Sequence, residues 1–523
     1  MKHHEQSYYC HCDPYPQGKF RRYSPSPPFY LNDQAPDFSH FSSESVPMSG
    51  SSPLPIYHPC CQYHLPAREG SPTWHTPPSL LPPVAEKNDL RDRLAFQGTL
   101  PDTAYKIIHN EISRDGNALL NLATFVTTWM EPTASRLYLE AANKNLIDKD
   151  EYPKTAAIEE RCVRILADLW HAPRPLRTMG ASTTGSSEAC LLGGLALKRR
   201  WQNTRKRQGK PLDRPNIVFS SAVQVVWKKF ANYWEVEPRY VNITPDRPCM
   251  DPEGVLQAVD ENTIGVVPTL GVTYTGLYEP VAAIAKALDD LQDKTGLDIP
   301  IHVDAASGGF VAPFLQPNLV WDFKLPRVKS INASGHKYGL VYPGIGWILW
   351  REAEDLPDDL IFHVSYLGGN LPTFSLSFSR PSAQVLLQYY NFLRLGKDGF
   401  FQVQKNSQDV AQFLSKAIQE MGPFELFTDG TDLPVFSWRL KEGYSSKWNL
   451  YDLSWQLRKS GWQVPAYPLP PDMEKVTIMR VVVRNGFSMY LAQLFLMNLI
   501  HAVSVLDSLP GPTHTKSHSS FHH

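Results

Sequence analysis

Two residues in this sequence have the types and settings needed for covalent chemistry on a carbonyl compound. Lys337 directly follows His336 in Ser330-Ile-Asn-Ala-Ser-Gly-His-Lys-Tyr-Gly-Leu340, a small-residue loop between two strand-like runs. Asp304 ends the apolar run of Ile299-Pro-Ile-His-Val-Asp-Ala-Ala-Ser-Gly-Gly-Phe310, and the small residues after it let a flat group come close. A lysine amine can hold a carbonyl compound as a Schiff base, and a carboxylate can keep a ring nitrogen protonated. A lone lysine is ordinarily a solvated surface group. The Asp304 stretch about thirty residues upstream is what sets Lys337 apart.

The elements around these residues alternate. Asn216–Ser220, Ile264–Val267, Ile299–Val303, Val328–Ile331 and Gly346–Leu349 are short apolar runs that read as strands. Helical patterns lie between them, at Ala189–Trp201 and Val281–Leu291. This alternation predicts an α/β fold, a mostly parallel sheet covered on both faces. Ligands of such sheets gather at the carboxyl ends of the strands, where Asp304 and Lys337 both fall. Thr184-Gly-Ser-Ser-Glu188 precedes a long helical run, which puts Ser186 and Ser187 at a helix N-terminus suited to an anion. After Leu395 the pattern changes to a smaller α+β unit, with strands at Val435–Leu440 and Val476–Val483 and a closing helix at Met489–Leu506.

The segments HVDAASGGF, INASGHKYG, TGSSEAC, PTLGVTYTG and SFSRP together resemble the glutamate decarboxylases, a group II pyridoxal-phosphate-dependent decarboxylase family. The similarity runs from about Asn117 to beyond Arg480. It implies the aspartate-aminotransferase fold (fold type I), with a seven-stranded-type sheet in the large domain and an α+β C-terminal small domain. The implied cofactor is pyridoxal 5'-phosphate, and the implied reaction converts L-glutamate to 4-aminobutanoate and CO2. By the same resemblance Lys337, Asp304 and Tyr366 are the catalytic set. Tyr366 lies in His363-Val-Ser-Tyr-Leu-Gly-Gly369, a flap whose proton would return to Cα. Ser365 stands there where an acidic residue is usual. Cofactor contacts are expected from Ser186, Ser187, Gln224, Thr273 and His336, and from Ser379 of a neighbouring subunit. Substrate contacts are expected from Thr124, Phe125, Asn145 and Asp148, with Arg480 rather than Arg484 gripping the α-carboxylate. Asp148 beside a carboxylate would need a proton or a bridge, which favours acid conditions. Decarboxylases of aspartate or cysteine sulfinate, and a non-catalytic cofactor-binding scaffold, are the alternatives.

The 523 residues are enough for a large core and a subdomain. A net charge of −1 gives no basic footprint for nucleic acid or anionic membranes. No uninterrupted apolar run long enough to span a bilayer is evident, and no secretory signal is expected. Seven cysteines do not make a disulfide framework, so a reduced, cytoplasmic enzyme is the expectation; the resemblance, through Ser379, implies a homodimer or higher homo-oligomer. The organisation expected is a disordered extension over 1–88, a helical segment over 89–170, a large domain over 171–395, a small domain over 396–510 and a flexible tail over 511–523. Sixteen of the 45 prolines precede Asp89, mixed with Ser, His and Tyr, a composition that cannot offset its chain entropy by burial. Cys10, Cys12, Cys60, Cys61 and His64 fit no zinc module, and no metal is expected. The tail lacks a basic, Trp-bearing amphipathic helix, so no calmodulin partner is expected.

Overall fold

A computed structural model of the chain describes residues 93–94, 96–365 and 371–509. The expectations for residues 1–88, for 511–523 and for Tyr366 lie outside the described residues. Contacts divide the chain into a unit ending at Gly98, whose described residues form no helix or strand, and a unit beginning at Thr99. The second unit holds every helix and strand of the described residues.

Three helices come first: α1 (Pro101–Ile112), α2 (Pro132–Ala141) and α3 (Pro153–Leu169). Each starts on proline, whose missing N–H costs nothing in a first turn. The central layer then forms from β1 (Met179–Thr183), α4 (Ser186–Arg207), β2 (Asn216–Ser220), α5 (Val225–Tyr233), β3 (Glu237–Val241), α6 (Pro252–Ala258), β4 (Thr263–Val267), α7 (Val281–Thr295), β5 (Ile301–Asp304), α8 (Ala312–Leu315), β6 (Val328–Ala333) and β7 (Gly346–Trp350). The seven strands lie in the order β1-β7-β6-β5-β4-β2-β3. Pairs from β3 through β6 are parallel, whereas β7 runs antiparallel to both β6 and β1. The sheet is therefore mixed, with a parallel majority. β2, β4, β5 and β7 are buried at every residue, as strands covered on both faces must be. β3 closes one edge with Glu237-Pro-Arg-Tyr-Val241, where a proline is tolerated.

A hairpin of β8 (Phe362–Val364) and β9 (Leu371–Thr373) precedes α9 (Ala383–Glu420). Gly396, at φ 58°, kinks α9. Val385, Leu387 and Phe400 pack into the core of the large sheet, and Val410, Ala411, Leu414 and Ile418 into that of a second. The second sheet comprises β10 (Phe424–Asp429), β11 (Val435–Leu440), β12 (Ala466–Pro468) and β13 (Thr477–Val482), all antiparallel in the order β10-β11-β13-β12. It is joined by α10 (Leu450–Lys459) and α11 (Met489–Ser508). By length and composition α11 could cross a membrane, although Gln493, Asn498 and His501 interrupt its apolar run and hide it from a search for continuous ones. Its Ala492, Phe495, Leu499, Ala502, Val503 and Leu506 are buried in the second core.

One contact joins the sheet to the start of α4. A Cβ added at Gly346 of β7 would lie 2.4 Å from the carbonyl carbon of Gly185 and 2.6 Å from the amide nitrogen of Ser186. Both are backbone atoms, so Gly346→Ala must push the helix start away from the strand. Overpacking of this kind costs about 1–3 kcal/mol. Thermal unfolding should show that loss, and an unchanged melting temperature would mean the two segments separate freely.

Candidate active site

The register of β5 and β6 places Asp304 opposite Asn332, and the chain then turns through Ser334 and Gly335 to His336 and Lys337. On the other side of this turn, β1 leads through Thr184 and Gly185 into α4. The N-cap Gly185 has no side chain to occupy the first amides, and Ser186 is the first helical residue. Those amides have no intrahelical acceptor, and the dipole of a 22-residue helix adds to their pull on an anion. A cavity of about 330 Å³ joins the two sides, lined by Ser186, Ser187, Gln224, Thr273, Asp304, His336 and Lys337 among others.

Asp304 is buried and held by four donors. Trp227 Nε1 (2.8 Å) and Cys190 Sγ (3.7 Å) donate to Oδ2, and Asn332 Nδ2 (3.0 Å) and the Ala306 amide (3.1 Å) to Oδ1. Burial, reinforced by Asp304, pushes the Cys190 thiol well above its ordinary value, so it acts as an S–H donor. Lys337 Nζ donates to Ser307 Oγ (3.3 Å) and lies 5.2 Å from the Phe125 ring centroid. Burial lowers the pKa of its amine; Asp304 opposes that shift and Arg480 adds to it. His336 Nδ1 accepts the Gly344 and Ile345 amides (3.4 and 3.3 Å). Burial first, then Lys337, lowers His336 to about 4. In the neutral ring the proton is then on Nε2, which is left as a donor.

The two arginines of the second sheet differ. Arg484 spends both terminal nitrogens on the N-terminal segment, donating to the carbonyls of Ala118, Asn121 and Val126 and to Thr128 Oγ1. Arg480 bonds the carbonyls of Thr273 and Ala123, stacks 4.9 Å over Phe125, and keeps a buried Nε with no partner. An unsatisfied guanidinium nitrogen beside the lysine suits an incoming carboxylate. Thr124 Oγ1 accepts the Val126 amide (3.2 Å), which fixes the turn presenting Phe125.

Of the other expected contacts, one lies in the cavity wall and three lie outside it. Gln224 reaches the cavity wall as the N-cap of α5, its Oε1 accepting the Val226 amide (2.6 Å). Asn145 and Ser379 pair with each other: Asn145 Nδ2 donates to Ser379 Oγ (3.3 Å), and Asn145 Oδ1 accepts the Arg380 amide (3.1 Å). Neither they nor Asp148 line the Lys337 cavity, and Thr124, Phe125 and Arg480 also lie outside its lining, Phe125 and Arg480 packing next to it through the contact of Phe125 with Lys337. Glu188, passed over in the sequence, ties the Ser379 segment to α4: it accepts from Thr184 N and Oγ1 with one oxygen and from the Leu376 and Ser377 amides with the other. His302, Asn332, Trp227 and Cys190 were also missed. Among the described residues there is no group of three or more His, Cys, Asp or Glu that could hold a metal ion.

Three buried groups here contribute to the pH response of the cofactor-free fold. Burial lowers His302 to about 4, as it does His336, from an ordinary 6.5. Burial raises Glu279, whose oxygens accept the Met250 and Thr269 amides, from 4.5 to about 7. Between pH 4 and 6.5 the unfolded chain binds protons on both histidines that the folded chain does not, so their contribution is present above 6.5 and lost as pH falls towards 4. Glu279 acts in the opposite sense, its contribution being present below 4.5 and lost as pH rises through about 7. Because Glu279 opposes the two histidines, removing its titration in Glu279→Gln predicts an unfolding midpoint that climbs more steeply with pH over this window than the parent's. Denaturant titrations across the window check it; a Glu279→Gln profile no steeper than the parent's would count against the assignment.

The cavity suits a flat ring bearing an acidic arm: it gathers amides and hydroxyls at a helix start, a buried carboxylate and an amine. The donor set is therefore suited to pyridoxal phosphate. Comparison with known proteins agrees. A family model described as the pyridoxal-dependent decarboxylase conserved domain matches residues 97–441. A glutamate decarboxylase of Aliivibrio fischeri is 55% identical over 411 residues, 78% of this chain and 88% of that one. One from Solanum lycopersicum is 49% identical over 80% of this chain and 83% of its own. The solved glutamate decarboxylase of Lactobacillus brevis superposes with a TM-score of 0.78 at 46% identity, covering 80% of this chain and 95% of that one. On the strength of this match, over the very residues that build the cavity, the chain belongs to the pyridoxal-dependent decarboxylases, among the glutamate decarboxylases.

Proposed function

We propose that this chain removes the α-carboxyl group of L-glutamate as CO2, taking up one proton to leave 4-aminobutanoate, and that it does so as a cytoplasmic homo-oligomer. The observation that carries the reading is one cavity holding Lys337, Asp304 and the start of α4, with the unsatisfied Nε of Arg480 close by. Pyridoxal phosphate, when bound, supplies a sink for the electron pair that CO2 leaves behind.

The chain supplies the rest. Ser186, Ser187 and the Nε2–H of His336 would hold the phosphate, and Asp304 would hold the ring nitrogen. Gln224 and Thr273 bound the ring on the cavity wall. Lys337 Nζ would hold the cofactor and yield it to the substrate amine, its lowered basicity leaving more of it unprotonated. Arg480 grips the α-carboxylate. Phe125, stacked between Arg480 and Lys337, keeps water from the bond that breaks. Thr124 and Phe125 bound the side-chain pocket. Ser379, Asn145 and Asp148, set away from their own Lys337, complete the site of a second subunit. Tyr366, outside the described residues, returns the proton to Cα.

The test is CO2 release from purified, cofactor-loaded protein given glutamate, aspartate or cysteine sulfinate, at about pH 4.5 and about pH 7. Turnover of glutamate well above the other two supports the assignment. Preference for a shorter acid would move the error to the Thr124 and Phe125 pocket, and silence with all three would leave a cofactor-binding scaffold.

A further inference from the structure

Behind Asp304 lies a line of polar groups that no substrate can reach. His302 is fully buried two residues before Asp304 on β5, and Ser330 and Asn332 have the same spacing on β6. The register pairs His302 with Ser330 and Asp304 with Asn332, so alternation sets all four side chains on one face of the sheet. His302 Nδ1 is 2.7 Å from Ser330 Oγ, its Nε2 is 2.7 Å from Asn332 Oδ1, and Asn332 Nδ2 donates to Asp304 Oδ1 at 3.0 Å.

We propose that Ser330, His302 and Asn332 form a one-way hydrogen-bond relay that turns the amide N–H of Asn332 towards Asp304 and so keeps the proton of the pair on the cofactor's ring nitrogen. The proposal rests on the cofactor reading. It makes His302 a positioning residue for the reaction, because it acts only through Asn332 and Asp304.

Counting donors fixes the sense of the relay. Burial lowers His302 to about 4, so near neutral pH it is uncharged and has one N–H and one lone pair. In one arrangement Ser330 donates to Nδ1, Nε2–H donates to Asn332 Oδ1, and the Asn332 amide donates to Asp304. In the reverse arrangement Nδ1–H donates to Ser330 and Asn332 turns its nitrogen to Nε2. That sets Asn332 Oδ1 against Asp304 Oδ1, two acceptors in contact, relieved only by a proton between them. The proton would come from the ring nitrogen, and the ring would lose its charge. Of the other three donors to Asp304, the Trp227 indole and the Ala306 amide have no acceptor to present, and the Cys190 sulfur, at 3.7 Å, offers only a weak one if its S–H rotates away. Asn332 is the contact whose sense is free to invert, and His302 sets it. The remaining titratable groups that sense this carboxylate are Lys337, Cys190 and Glu279.

Cofactor labelled with ¹⁵N in the ring reads the relay directly, without turnover. The ¹⁵N shift should stay at its protonated value across neutral pH in the parent holoenzyme. In His302→Leu the ring-nitrogen titration should fall by about one pH unit, a tenfold change in its protonation, since an unconstrained amide forfeits roughly one hydrogen bond's selectivity. Ser330→Ala keeps the imidazole and only weakens the choice of tautomer, so it should move the titration less and in the same direction. Folded variants that both titrate as the parent does would overturn the proposal. If His302→Leu fails to fold, an unchanged Ser330→Ala titration overturns it alone. No labelled signal from the parent protein would instead sink the cofactor reading, a distinguishable outcome.

Discussion

Lys337→Ala should abolish decarboxylation, by at least ~10³-fold in kcat, while leaving the fold intact. Two losses combine. The amine that would join the cofactor and then yield it to substrate is gone, and so is the nearest base able to carry its proton. No remaining side chain substitutes for it, because Ser307, the hydroxyl that Nζ contacts, lacks its nucleophilicity and Arg480 is committed to two carbonyls. Stability should hold. The backbone carbonyl of Lys337 accepts from Thr127 Oγ1 at 2.6 Å, a bond the substitution leaves alone. Burial of an amine with a lowered pKa disfavours its charged form, so removing it should keep or raise the melting temperature. Borohydride reduction and then mass spectrometry separate this from a binding defect: the parent carries a cofactor adduct, and the variant carries none. An adduct in the variant would mean that another amine holds the cofactor.

The strands that position this lysine were legible because they are apolar and bounded by turn residues. β2, β4 and β7 begin or end within a residue of the runs Asn216–Ser220, Ile264–Val267 and Gly346–Leu349, since strands covered on both faces leave continuous hydrophobic signals. β1 and β3 left none. Met179-Gly-Ala-Ser-Thr183 is made of small residues pressed between β7 and α4, where Gly180 has Ile348 O within 2.8 Å of any Cβ it might carry. Glu237-Pro-Arg-Tyr-Val241 is an exposed edge that reads as a loop. The antiparallel course of β7 is likewise a matter of connection length, which apolar patterning does not encode.

The site separates along the same line. Lys337, Asp304 and the Gly-Ser-Ser helix start were legible because each pairs a chemically active residue with a local backbone signal. The partners of Asp304 were not, since Trp227 arrives from α5 and Cys190 from α4, far off in sequence. One signal was present and went unread: His302 with Asp304, and Ser330 with Asn332, are polar residues at a spacing of two inside apolar strands. Polar groups on the inner face of a buried strand need partners, and the adjacent strand was their natural place.

Asp304→Asn gives the second large effect: a loss of about 140- to 4,000-fold in kcat/KM, with the cofactor still covalently attached through Lys337. Removing one member of a buried charge pair costs about 3–5 kcal/mol, which converts to that range at 1.4 kcal/mol per tenfold. The hydrogen bonds raise the cost further. Trp227 and Cys190 donate to Oδ2, and Asn332 and the Ala306 amide to Oδ1, so either oxygen, once replaced by NH2, faces donors with a donor. The Asn332 amide can relieve one such clash by turning over, but only if its bond to His302 Nε2, and that of His302 to Ser330, reverse with it. A neutral residue of the same shape is therefore a poor replacement twice over, in charge and in hydrogen-bond sense. Steady-state kinetics beside the borohydride adduct separates this variant from Lys337→Ala, since the adduct should persist while turnover falls. Activity within tenfold of the parent would mean that the ring nitrogen needs no carboxylate here, and would remove Asp304 from the catalytic set.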